Sequence, residues 1–264
     1  MLKAELNNRQ HSYVPVRRSG SIAPHSTDFH RLMPTFDRTL LRRVFFIAIW
    51  LGFVAYAFKF APPERADTAD LIVNLSTGEV DAIEPILVSL FNLMGVLPAI
   101  YSCSLYADGR NQKLSAWPFA VASFAVGGFA LIPYLAFRDD APQFDGKVNR
   151  WLGFWDSRAV GILLTVAFVA LAFTGLSNGD WGAFVEEWQT RRFVNVMSLD
   201  FLLLVLCLPA LLGDDMRRRG LENRSLMWAI SLVPIVGPLL YLCLRPPIQA
   251  REISQASDEV PAGS

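Results

Sequence analysis

An all-α, polytopic membrane protein with about six transmembrane helices is the fold class that this sequence predicts. Of the 264 residues, 53% are hydrophobic and 12% aromatic, and the mean hydropathy is +0.33. A soluble domain of this length normally carries fewer apolar residues. The apolar residues are also gathered into long runs between polar segments, a pattern typical of helices that cross a bilayer repeatedly.

Six runs are apolar enough to be transmembrane spans. We predict them at residues 44–60, 85–105, 116–137, 159–176, 192–212 and 226–244. At about 1.5 Å per residue, the first just crosses a ~30 Å hydrocarbon core, with Arg43 and Lys59 reaching outward from its ends. The second and third are joined at Asp108-Gly109, a dipeptide typical of turns, so they should form a helical hairpin.

Polar segments flank and separate these spans. Residues 1–43 hold eight basic and three acidic side chains, which fits either a disordered cytoplasmic tail or an organelle transit peptide. Residues 64–84 hold six acidic side chains and one arginine, so we predict a solvated loop. Residues 246–264 form a polar C-terminal tail. The basic tail predicts an inside N-terminus, whereas the remaining loop charges favour the opposite orientation.

Two segments between spans carry tryptophan together with charged residues. They are residues 138–158, with Trp151 and Trp155, and residues 178–191, with Trp181. Amphipathic rings settle at the boundary between lipid and water. We therefore predict that both segments lie along the membrane interface.

Asp200 is the most informative single residue, because it lies well inside the fifth predicted span. An ionisable group at membrane depth costs roughly 2.5–3.5 kcal/mol, so it should face protein or water. Together with Asn195, which precedes it on the same span, Asp200 is a candidate ion-binding or ligand-binding residue. A proton or cation site, a partner for a buried arginine, and a structural carboxylate bonded to a neighbouring helix are all open interpretations.

Three further polar residues are candidates, and each also has a structural interpretation. Glu84 opens the second span beside Pro85, where the helix dipole favours a carboxylate. Asn92 lies deeper in that span, where an amide can bond to a neighbouring helix. Arg245 follows the sixth span, where a cation favours the helix C-terminus or anchors the chain at the interface.

The sixth predicted span contains Pro234 and Pro238, which should interrupt a regular helix. Backbone carbonyls released by such a break can coordinate a cation or polar ligand, and a simple kink is the alternative. In the third predicted span, Ala120, Ser123 and Gly127 recur at helical spacing, which predicts close helix packing. No convincing inverted repeat is visible in the sequence.

Several function classes are excluded by what the sequence lacks. The net charge is zero, with no basic stripe, so nothing indicates nucleic-acid binding. The three histidines, His11, His25 and His30, all lie in the N-terminal tail, so no His-ligated cofactor is expected within the membrane. The cysteines lack metal-ligand spacing, and no Walker A or HExxH motif occurs, so we assign no metal or catalytic residue.

Two stretches, residues 90–110 and 116–138, resemble a family of uncharacterised integral membrane proteins of cyanobacteria and chloroplasts. The shared pattern is a Phe-Asn-x-Met-Gly start, a basic hydrophilic turn, a Trp-Pro-Phe triplet and a late Pro-Tyr pair. Its positions here are Phe91, Asn92, Met94, Gly95, Trp117, Pro118, Phe119, Pro133 and Tyr134, with Ser198 to Asp200 later. The resemblance covers about the last two-thirds of the chain and implies a photosynthetic membrane.

The C-terminal helix pair is more weakly similar to the neoxanthin synthase family of plastid membrane proteins. That family has an intramembrane Asp and a Gly-Pro-rich last helix that ends in Arg. The matching residues here are Asp200, Gly237, Pro238 and Arg245. The family's His-containing approach to the Asp reads Val-Asn-Val-Met at residues 194–197, so the histidine is absent.

The resemblance and the missing intramembrane histidines predict a non-enzymatic accessory, assembly or pigment-handling protein, with the lipid bilayer and photosynthetic membrane complexes as partners. The expected location is the thylakoid or plasma membrane of a cyanobacterium, or a plastid membrane, with a cytoplasmic or stromal N-terminus. The cofactor implied is carotenoid or chlorophyll. Two alternatives stay open: a small proton- or cation-coupled carrier that uses Asp200, and a carotenoid-modifying membrane enzyme.

Overall fold

The computed structural model describes residues 38–139, 148–221 and 223–248. Every regular element in those ranges is helical, which confirms the predicted all-α class. The α-helices there are α1 Arg38–Ala55, α2 Thr68–Thr77, α3 Pro85–Asp108, α4 Trp117–Val126, α5 Gly128–Phe137, α6 Arg150–Asp156, α7 Arg158–Asn178, α8 Trp181–Thr190, α9 Arg192–Cys207, α10 Pro209–Arg218, α11 Arg224–Leu232 and α12 Val236–Leu244. A π-helical segment, Tyr56–Phe60, extends α1, and a 3₁₀ turn, Gly109–Asn111, follows α3.

Four helical stretches in the described residues are long and apolar enough to cross a membrane. They are Thr39–Phe60, Pro85–Asp108, Arg158–Asn178 and Arg192–Arg218. The shortest has 21 residues and therefore spans roughly 32 Å, slightly more than the hydrocarbon core. The last stretch is α9 followed by α10. It ends at Arg218, whereas we predicted an end at residue 212. By the length and composition of these helices the chain is a membrane protein.

The prediction of six spans is wrong, because the third and sixth predicted spans are not continuous helices. Gly127 divides the third into α4 and α5, each of 10 residues. Residues 233–235 divide the sixth into α11 and α12, each of 9 residues. A helix of that length reaches only about 15 Å, which is half of the hydrocarbon thickness.

The pair α4–α5, called hairpin 1 below, turns back on itself. At its start, Ala116 lies against Gly109, at the end of α3. At its end, Arg138 pairs with Asp108, which is also at the end of α3, at 2.8 Å. Because both ends lie beside the same helix end, the chain enters and leaves on one side, with Gly127 at the tip.

The pair α11–α12, called hairpin 2, follows the same kind of path. α11 begins beside α10, and Arg245, after α12, pairs with Asp215 of α10 at 3.1 Å. The two helices approach so closely that a Cβ added to Gly237 would lie 2.0 Å from the carbonyl oxygen of Ile230. The break that the prolines predicted is therefore a full chain reversal and not a kink.

The two hairpins belong to an internal repeat. Each half of the chain has a long helix, a short helix, a second long helical stretch and a hairpin. Residues 85–138 align with residues 192–245 without a gap, at an offset of 107 positions. Identical pairs in this alignment are Leu97/Leu204, Leu105/Leu212, Asp108/Asp215, Arg110/Arg217, Leu114/Leu221, Ala122/Ala229, Val126/Val233, Tyr134/Tyr241, Leu135/Leu242 and Arg138/Arg245. The repeat is parallel, since both hairpins start from the same side.

The repeats also pack in an equivalent way. Helix α5 of hairpin 1 packs against α1, and α12 of hairpin 2 packs against α7, the first long helix of its own repeat. A shared core joins the two halves, in which Leu97 and Tyr101 of α3 and Leu204 of α9 are fully buried. One face of each hairpin is buried in this core, including Leu131 of α5 and Leu239 of α12.

Shorter helices occupy segments that we predicted as loop or tail. Helix α2 lies within the acidic segment 64–84, where a solvated loop was expected, and it ends at Gly78 in a left-handed C-cap. Residues 38–43, predicted as tail, form the first turns of α1. Residues 1–37 and 249–264, the rest of the predicted tails, lie outside the described residues. Helices α6 and α8 carry the tryptophans of the predicted interfacial segments, and Trp151 and Trp181 are exposed there.

Candidate functional site

Three buried side chains fasten the base of hairpin 1. The Asp108 carboxylate, on the last residue of α3, accepts hydrogen bonds from the Tyr134 hydroxyl at 2.6 Å and from Arg138 at 2.8 and 2.9 Å. Tyr134 and Arg138 are four residues apart, so the end of α5 presents both to the same partner. All three side chains are buried, and hydrogen bonds between ionised groups are stronger than neutral ones.

Hairpin 2 is fastened by the same three residue types at the same spacing. Asp215 accepts hydrogen bonds from the Tyr241 hydroxyl at 2.6 Å and from Arg245 at 3.1 Å. In both hairpins the tyrosine lies 26 residues, and the arginine 30 residues, after the aspartate. The repeat therefore extends from the sequence to the side-chain contacts.

Each of these arginines also reaches into the other repeat. Arg138 donates to the carbonyl oxygen of Ala210 at 3.5 Å, and Arg245 donates to that of Cys103 at 3.0 Å. Ala210 and Cys103 are equivalent positions in the alignment. The two bonds are thus related by an approximate twofold axis between the repeats, and they join the bases of the hairpins.

The base triads are part of a larger cluster of opposite charges. Its members are Asp108, Asp156, Asp214, Asp215, Arg138, Arg217, Arg218, Arg219 and Arg245. Within it, five arginines share four carboxylates, and Arg217 is the exposed member, with a side chain 50% accessible. Removing one partner of a buried ion pair typically costs about 3–5 kcal/mol. We assign this cluster to holding the hairpins in place.

Asp200 lies at the tip of hairpin 1, far from that cluster. Its carboxylate accepts a bifurcated hydrogen bond from the Gly128 N–H, at 2.9 Å to Oδ1 and 3.1 Å to Oδ2. Gly128 is the first residue of α5, so the carboxylate meets the positive end of a helix dipole. This contact joins two segments that are 72 residues apart in the chain.

Two glycines make room for this carboxylate. A Cβ on Gly127 would lie 1.8 Å from Asp200 Oδ2, and a Cβ on Gly128 would lie 2.4 Å from Oδ1. Gly127 also has φ +53° and ψ −127°, a backbone conformation that other residues rarely adopt. The Gly-Gly pair is therefore required by both the turn and the approach of Asp200.

The Asp200 carboxylate is buried without a cation. It is 4% exposed, and no Lys, Arg or His in the described ranges forms an ion pair with it. One N–H and a helix dipole offset only part of the free-energy cost of burying a negative charge. Asp200 differs in this from Asp108, whose charge is shared with two arginines.

Aromatic residues of α1 hold the tip against Asp200. The Trp50 indole N–H donates to the carbonyl oxygen of Phe129 at 3.0 Å, and the Phe53 ring lies 4.6 Å from the Phe129 ring. On the other side, Met94 of α3 lies beside Gly127. The tip is thus surrounded by apolar side chains, with a few directed hydrogen bonds.

The other predicted site residues do not gather around Asp200. Asn195 is buried, accepts a hydrogen bond from the Tyr56 hydroxyl at 2.9 Å and donates to the Trp188 carbonyl at 3.1 Å. Asn92 is exposed and donates to the Val88 carbonyl of its own helix at 2.8 Å, so the predicted interhelical bond is not made there.

Glu84 and Arg245 both make structural contacts, but Arg245 is buried in an ion pair and does not anchor the chain at the interface as we expected. Glu84 caps α3 by accepting a hydrogen bond from the Leu87 N–H at 2.9 Å, and its other oxygen accepts from the Asp180 N–H at 2.8 Å. Arg245 belongs to the hairpin 2 base described above, where it pairs with Asp215. Within the described ranges, no group of three or more His, Cys, Asp or Glu could hold a metal ion.

A polar cavity of about 290 Å³ lies at the opposite face of the molecule, where α3 and α9 begin. Asp67, Glu84, Glu187 and Arg191 are among its lining residues. Arg191 donates a hydrogen bond to Asp67 at 2.7 Å, and this bond holds the pKa of the Asp67 carboxyl below its usual value. Arg191 lies about 14 Å from Asp200 along the helix, at ~1.5 Å per residue.

A buried apolar cluster lies along α9 between this cavity and Asp200. It consists of Leu87, Val194 and Met197, all buried, with partly buried aromatic residues packed around them. Leu87 also lines the cavity, so the cluster begins where the polar lining ends. In this state of the molecule, apolar side chains separate Asp200 from the cavity.

Asp108, Asp215 and Arg138 of the hairpin bases were missed by our interpretation of the sequence, which singled out only Arg245 among the ion-paired base residues. Asp108 was assigned to a tight turn and Asp215 to the end of a span, because each follows an apolar run. A search for a parallel repeat would have found them, since Tyr-Leu-x-x-Arg occurs at residues 134–138 and again at 241–245.

Comparison of the chain with protein-family models, with curated proteins and with solved structures finds no match.

Proposed function

We propose that this membrane protein is a small proton-coupled carrier in which Asp200 binds and releases the coupled proton. The observation that carries the proposal is the position of this carboxylate. It lies well inside a membrane-spanning helix, is 4% exposed, and accepts its hydrogen bonds from the tip of hairpin 1. Ionisable groups at such a depth are rare and commonly belong to ion or proton pathways.

Proton binding at Asp200 would act directly on hairpin 1. A proton removes the negative charge and occupies one acceptor site, so the hydrogen bond from the Gly128 N–H loses its charge assistance. The base of the hairpin stays fixed by the Asp108–Arg138 ion pair in both protonation states. The free energy of proton binding therefore biases the position of the tip, which is what a change between two access states requires.

The broken helices support the same proposal. In many secondary transporters, the coupling-ion site lies near the bilayer midplane, where discontinuous helices end within a repeated fold. Helix α5 begins at Gly128, about 15 Å from its base, and directs its N-terminus at Asp200. Parallel repeats of the kind found here occur among such carriers.

The polar cavity supplies a route for protons or a polar substrate. Leu87, Val194 and Met197 close this route in the present state. Met94 lies beside the hairpin 1 tip and also packs against this apolar cluster. Movement of the tip would therefore loosen the apolar barrier between the cavity and Asp200.

Infrared difference spectroscopy on the reconstituted protein tests whether Asp200 changes its protonation state. Acidification should produce the carbonyl band of a carboxylic acid shielded from water, and Asp200→Asn should remove that band while keeping an acceptor for the Gly128 N–H. Asp81→Asn removes an exposed carboxylate and should leave the band unchanged. A band that persists in Asp200→Asn, or no band in the wild type, would contradict the proposal.

Transport itself can be measured in liposomes that contain the protein and a trapped pH dye. External additions of organic acids, amines, sugars and metal cations identify a compound that moves protons with it. The internal pH should change for wild type and Asp81→Asn, and should stay constant for Asp200→Asn. Equal proton movement in Asp200→Asn would exclude Asp200 as the coupling site.

The resemblance to the cyanobacterial and chloroplast family carries a separate proposal, an accessory, assembly or pigment-handling role in a photosynthetic membrane. It rests on motif residues such as Trp117 and Pro118, which form the first turn of α4. Purification in mild detergent tests it, because stoichiometric chlorophyll, carotenoid or photosystem subunits should then accompany the protein. A colourless protein without partners would leave the carrier proposal alone. Altered carotenoids in a deletion strain would instead support the carotenoid-modifying enzyme that the weaker similarity implies.

A further inference from the structure

A groove runs along hairpin 2, between α11 and α12. Its volume is about 480 Å³, and its lining is apolar along most of its length, including Leu226, Val233 and Leu240. Tyr241 and Arg245 line it at the base of the hairpin, so one end is polar. The lining residues Val233, Leu240 and Leu244 are 49%, 54% and 72% exposed, which places the groove toward the bilayer.

At one position within the groove, hairpin 2 carries a smaller side chain than hairpin 1. In hairpin 1, the Phe119 ring lies 5.6 Å from the Tyr134 ring. The equivalent residues in hairpin 2 are Leu226 and Tyr241, and both line the groove. A leucine in place of a phenylalanine leaves volume that neighbouring side chains do not fill.

The dimensions of the groove suit a single apolar chain within one leaflet. Helix α12 has 9 residues and is therefore roughly 14 Å long, close to half of the ~30 Å hydrocarbon core. A transmembrane helix, about 10 Å wide with its side chains, is too thick for a groove of this volume. An extended peptide would leave backbone N–H and C=O groups unpaired against the apolar lining.

Arginines lie at the polar end of the groove. In the turn after α10, the Gly220 N–H donates to the Arg217 carbonyl at 3.0 Å and the Leu221 N–H donates to the Met216 carbonyl at 2.9 Å. Leu221 lines the groove, so this turn brings Arg217, whose side chain is 50% accessible, close to the groove end. Arg245, also at this end, has a side chain only 1% accessible, so Arg217 offers the guanidinium that a lipid head group can reach. An anionic group at this position would be favoured by charge and by an available donor.

We propose that the groove of hairpin 2 binds one acyl chain of an anionic phospholipid, whose head group lies at Arg217 on the arginine-rich side of the membrane. The acyl chain replaces the missing ring of hairpin 1 as the filling between the two helices. The head group accepts hydrogen bonds from Arg217, whose side chain is half exposed. This lipid would stabilise hairpin 2 against α10 and is independent of proton binding at Asp200.

Native mass spectrometry of the delipidated protein tests this proposal with phosphatidylglycerol and phosphatidylcholine of the same acyl chains. Wild type should bind phosphatidylglycerol roughly fivefold more tightly, the effect of about one favourable contact between an arginine and an anionic lipid. Arg217→Gln should remove this preference. Ala229→Trp should fill the groove and abolish binding of the first lipid, since Ala229 is an exposed lining residue.

Hairpin 1 offers a matched control. Ala122 is the equivalent of Ala229 and is also exposed, so Ala122→Trp adds the same ring outside the groove and should leave lipid binding unchanged. Asp200→Asn should also bind lipid like the wild type, which separates this proposal from the carrier proposal. Equal binding by Ala229→Trp and Ala122→Trp would overturn it. So would equal affinity for both lipids in the wild type, a pigment in the groove, or a dimer that Ala229→Trp dissociates.

Discussion

The two hairpins have the same base and different tips. At each base, one aspartate accepts hydrogen bonds from a tyrosine and an arginine at identical sequence spacing. At the tip of hairpin 1, the first N–H of α5 bonds to Asp200 of another helix. At the tip of hairpin 2, the first N–H groups of α12 bond to the local carbonyls of Pro234 and Val233. The position equivalent to Asp200 is Leu93.

This difference distinguishes the contacts that both hairpins need to fold from the carboxylate contact that only hairpin 1 has. A hairpin of this kind forms without a carboxylate at its tip, because hairpin 2 satisfies its own N–H groups. Asp200 is therefore not required by the hairpin architecture, although burying it costs free energy. The base triads, which both repeats share, indicate a role in stability. The Asp200 carboxylate, which only one repeat has, indicates a role in function.

Loss of a base carboxylate should have the largest effect. Asp108→Ala leaves Arg138 and Arg218 buried without their shared partner, and we expect it to lower the free energy of unfolding by about 5 kcal/mol. Asp215→Ala should cost a similar amount, because Arg219 and Arg245 depend on it in the same way. Denaturation in detergent, followed by tryptophan fluorescence, measures both.

The control for this prediction is an ion pair at the surface. Asp139 bonds to Arg43 at 2.8 Å, but both side chains are 40% accessible or more. Asp139→Ala should therefore cost less than ~1 kcal/mol. If Asp108→Ala were tolerated equally well, or if Asp108→Ala and Asp215→Ala differed greatly, the equivalence of the two bases would fail.

Gly127→Ala tests the tip that only hairpin 1 has. The added Cβ would lie 1.8 Å from Asp200 Oδ2, at a backbone conformation with φ +53°. Overpacking and backbone strain together should cost about 3 kcal/mol, measured in the same unfolding experiment.

The controls for Gly127→Ala separate the clash from the strain. Gly78→Ala places a Cβ at φ +84° with no atom within 4 Å, so it should show the backbone cost alone, about 1 kcal/mol. Adding Asp200→Ala to Gly127→Ala removes the clashing oxygen and should recover part of the loss. Simple additivity of these two changes would show that the contact between tip and carboxylate is not as described.

Tyr134→Phe and Tyr241→Phe test whether the two hairpin bases are equivalent. Each removes one hydroxyl that donates to a buried carboxylate at 2.6 Å and leaves the ring in place. A hydrogen bond to a charged group contributes about 1.5–3 kcal/mol, so we expect a loss near 2 kcal/mol from each. Thermal unfolding of the two variants should give the same shift. A loss in only one of them would mean that the hairpins are fastened differently.

Composition was enough to predict the helical membrane class, and the spans around α1, α3, α7 and α9 were placed within a few residues. The hairpins were not predicted, because an apolar run of 19 to 22 residues has the same hydropathy whether the chain crosses the bilayer or turns back halfway. What identifies each hairpin is the ion pair that joins the residue after the run to the preceding helix, Asp108–Arg138 and Asp215–Arg245. Such a pairing over 30 residues has no local pattern.

Asp200 could be identified from the sequence because a charged residue within an apolar run is evident from the hydropathy pattern. Its partner could not, since the Gly128 N–H is a backbone group 72 residues away. Gly127 was assigned to a small-residue packing face, and its need for positive φ follows only from the chain reversal. The groove of hairpin 2 depends on an absent ring, which becomes visible once the two repeats are aligned.

The smallest expected effect concerns the other face of the molecule, where the repeats meet through an exposed pair. Arg191 bonds to Asp67 at 2.7 Å and lowers the carboxyl pKa from its usual 3.8. A carboxylate with a lowered folded-state pKa stabilises the fold above its unfolded-state pKa, and the contribution disappears as pH falls through the folded-state value. Wild type should therefore be slightly more stable than Asp67→Asn at neutral pH, and the difference should vanish below pH 3.8. High salt should shrink it as well, because the pair is exposed to solvent. Thermal unfolding of both proteins across pH and salt measures this, and a difference that grows on acidification would reverse the assignment. Asp108→Ala should show no comparable salt dependence, since its cluster is buried, so the two faces of the molecule can be told apart by salt alone.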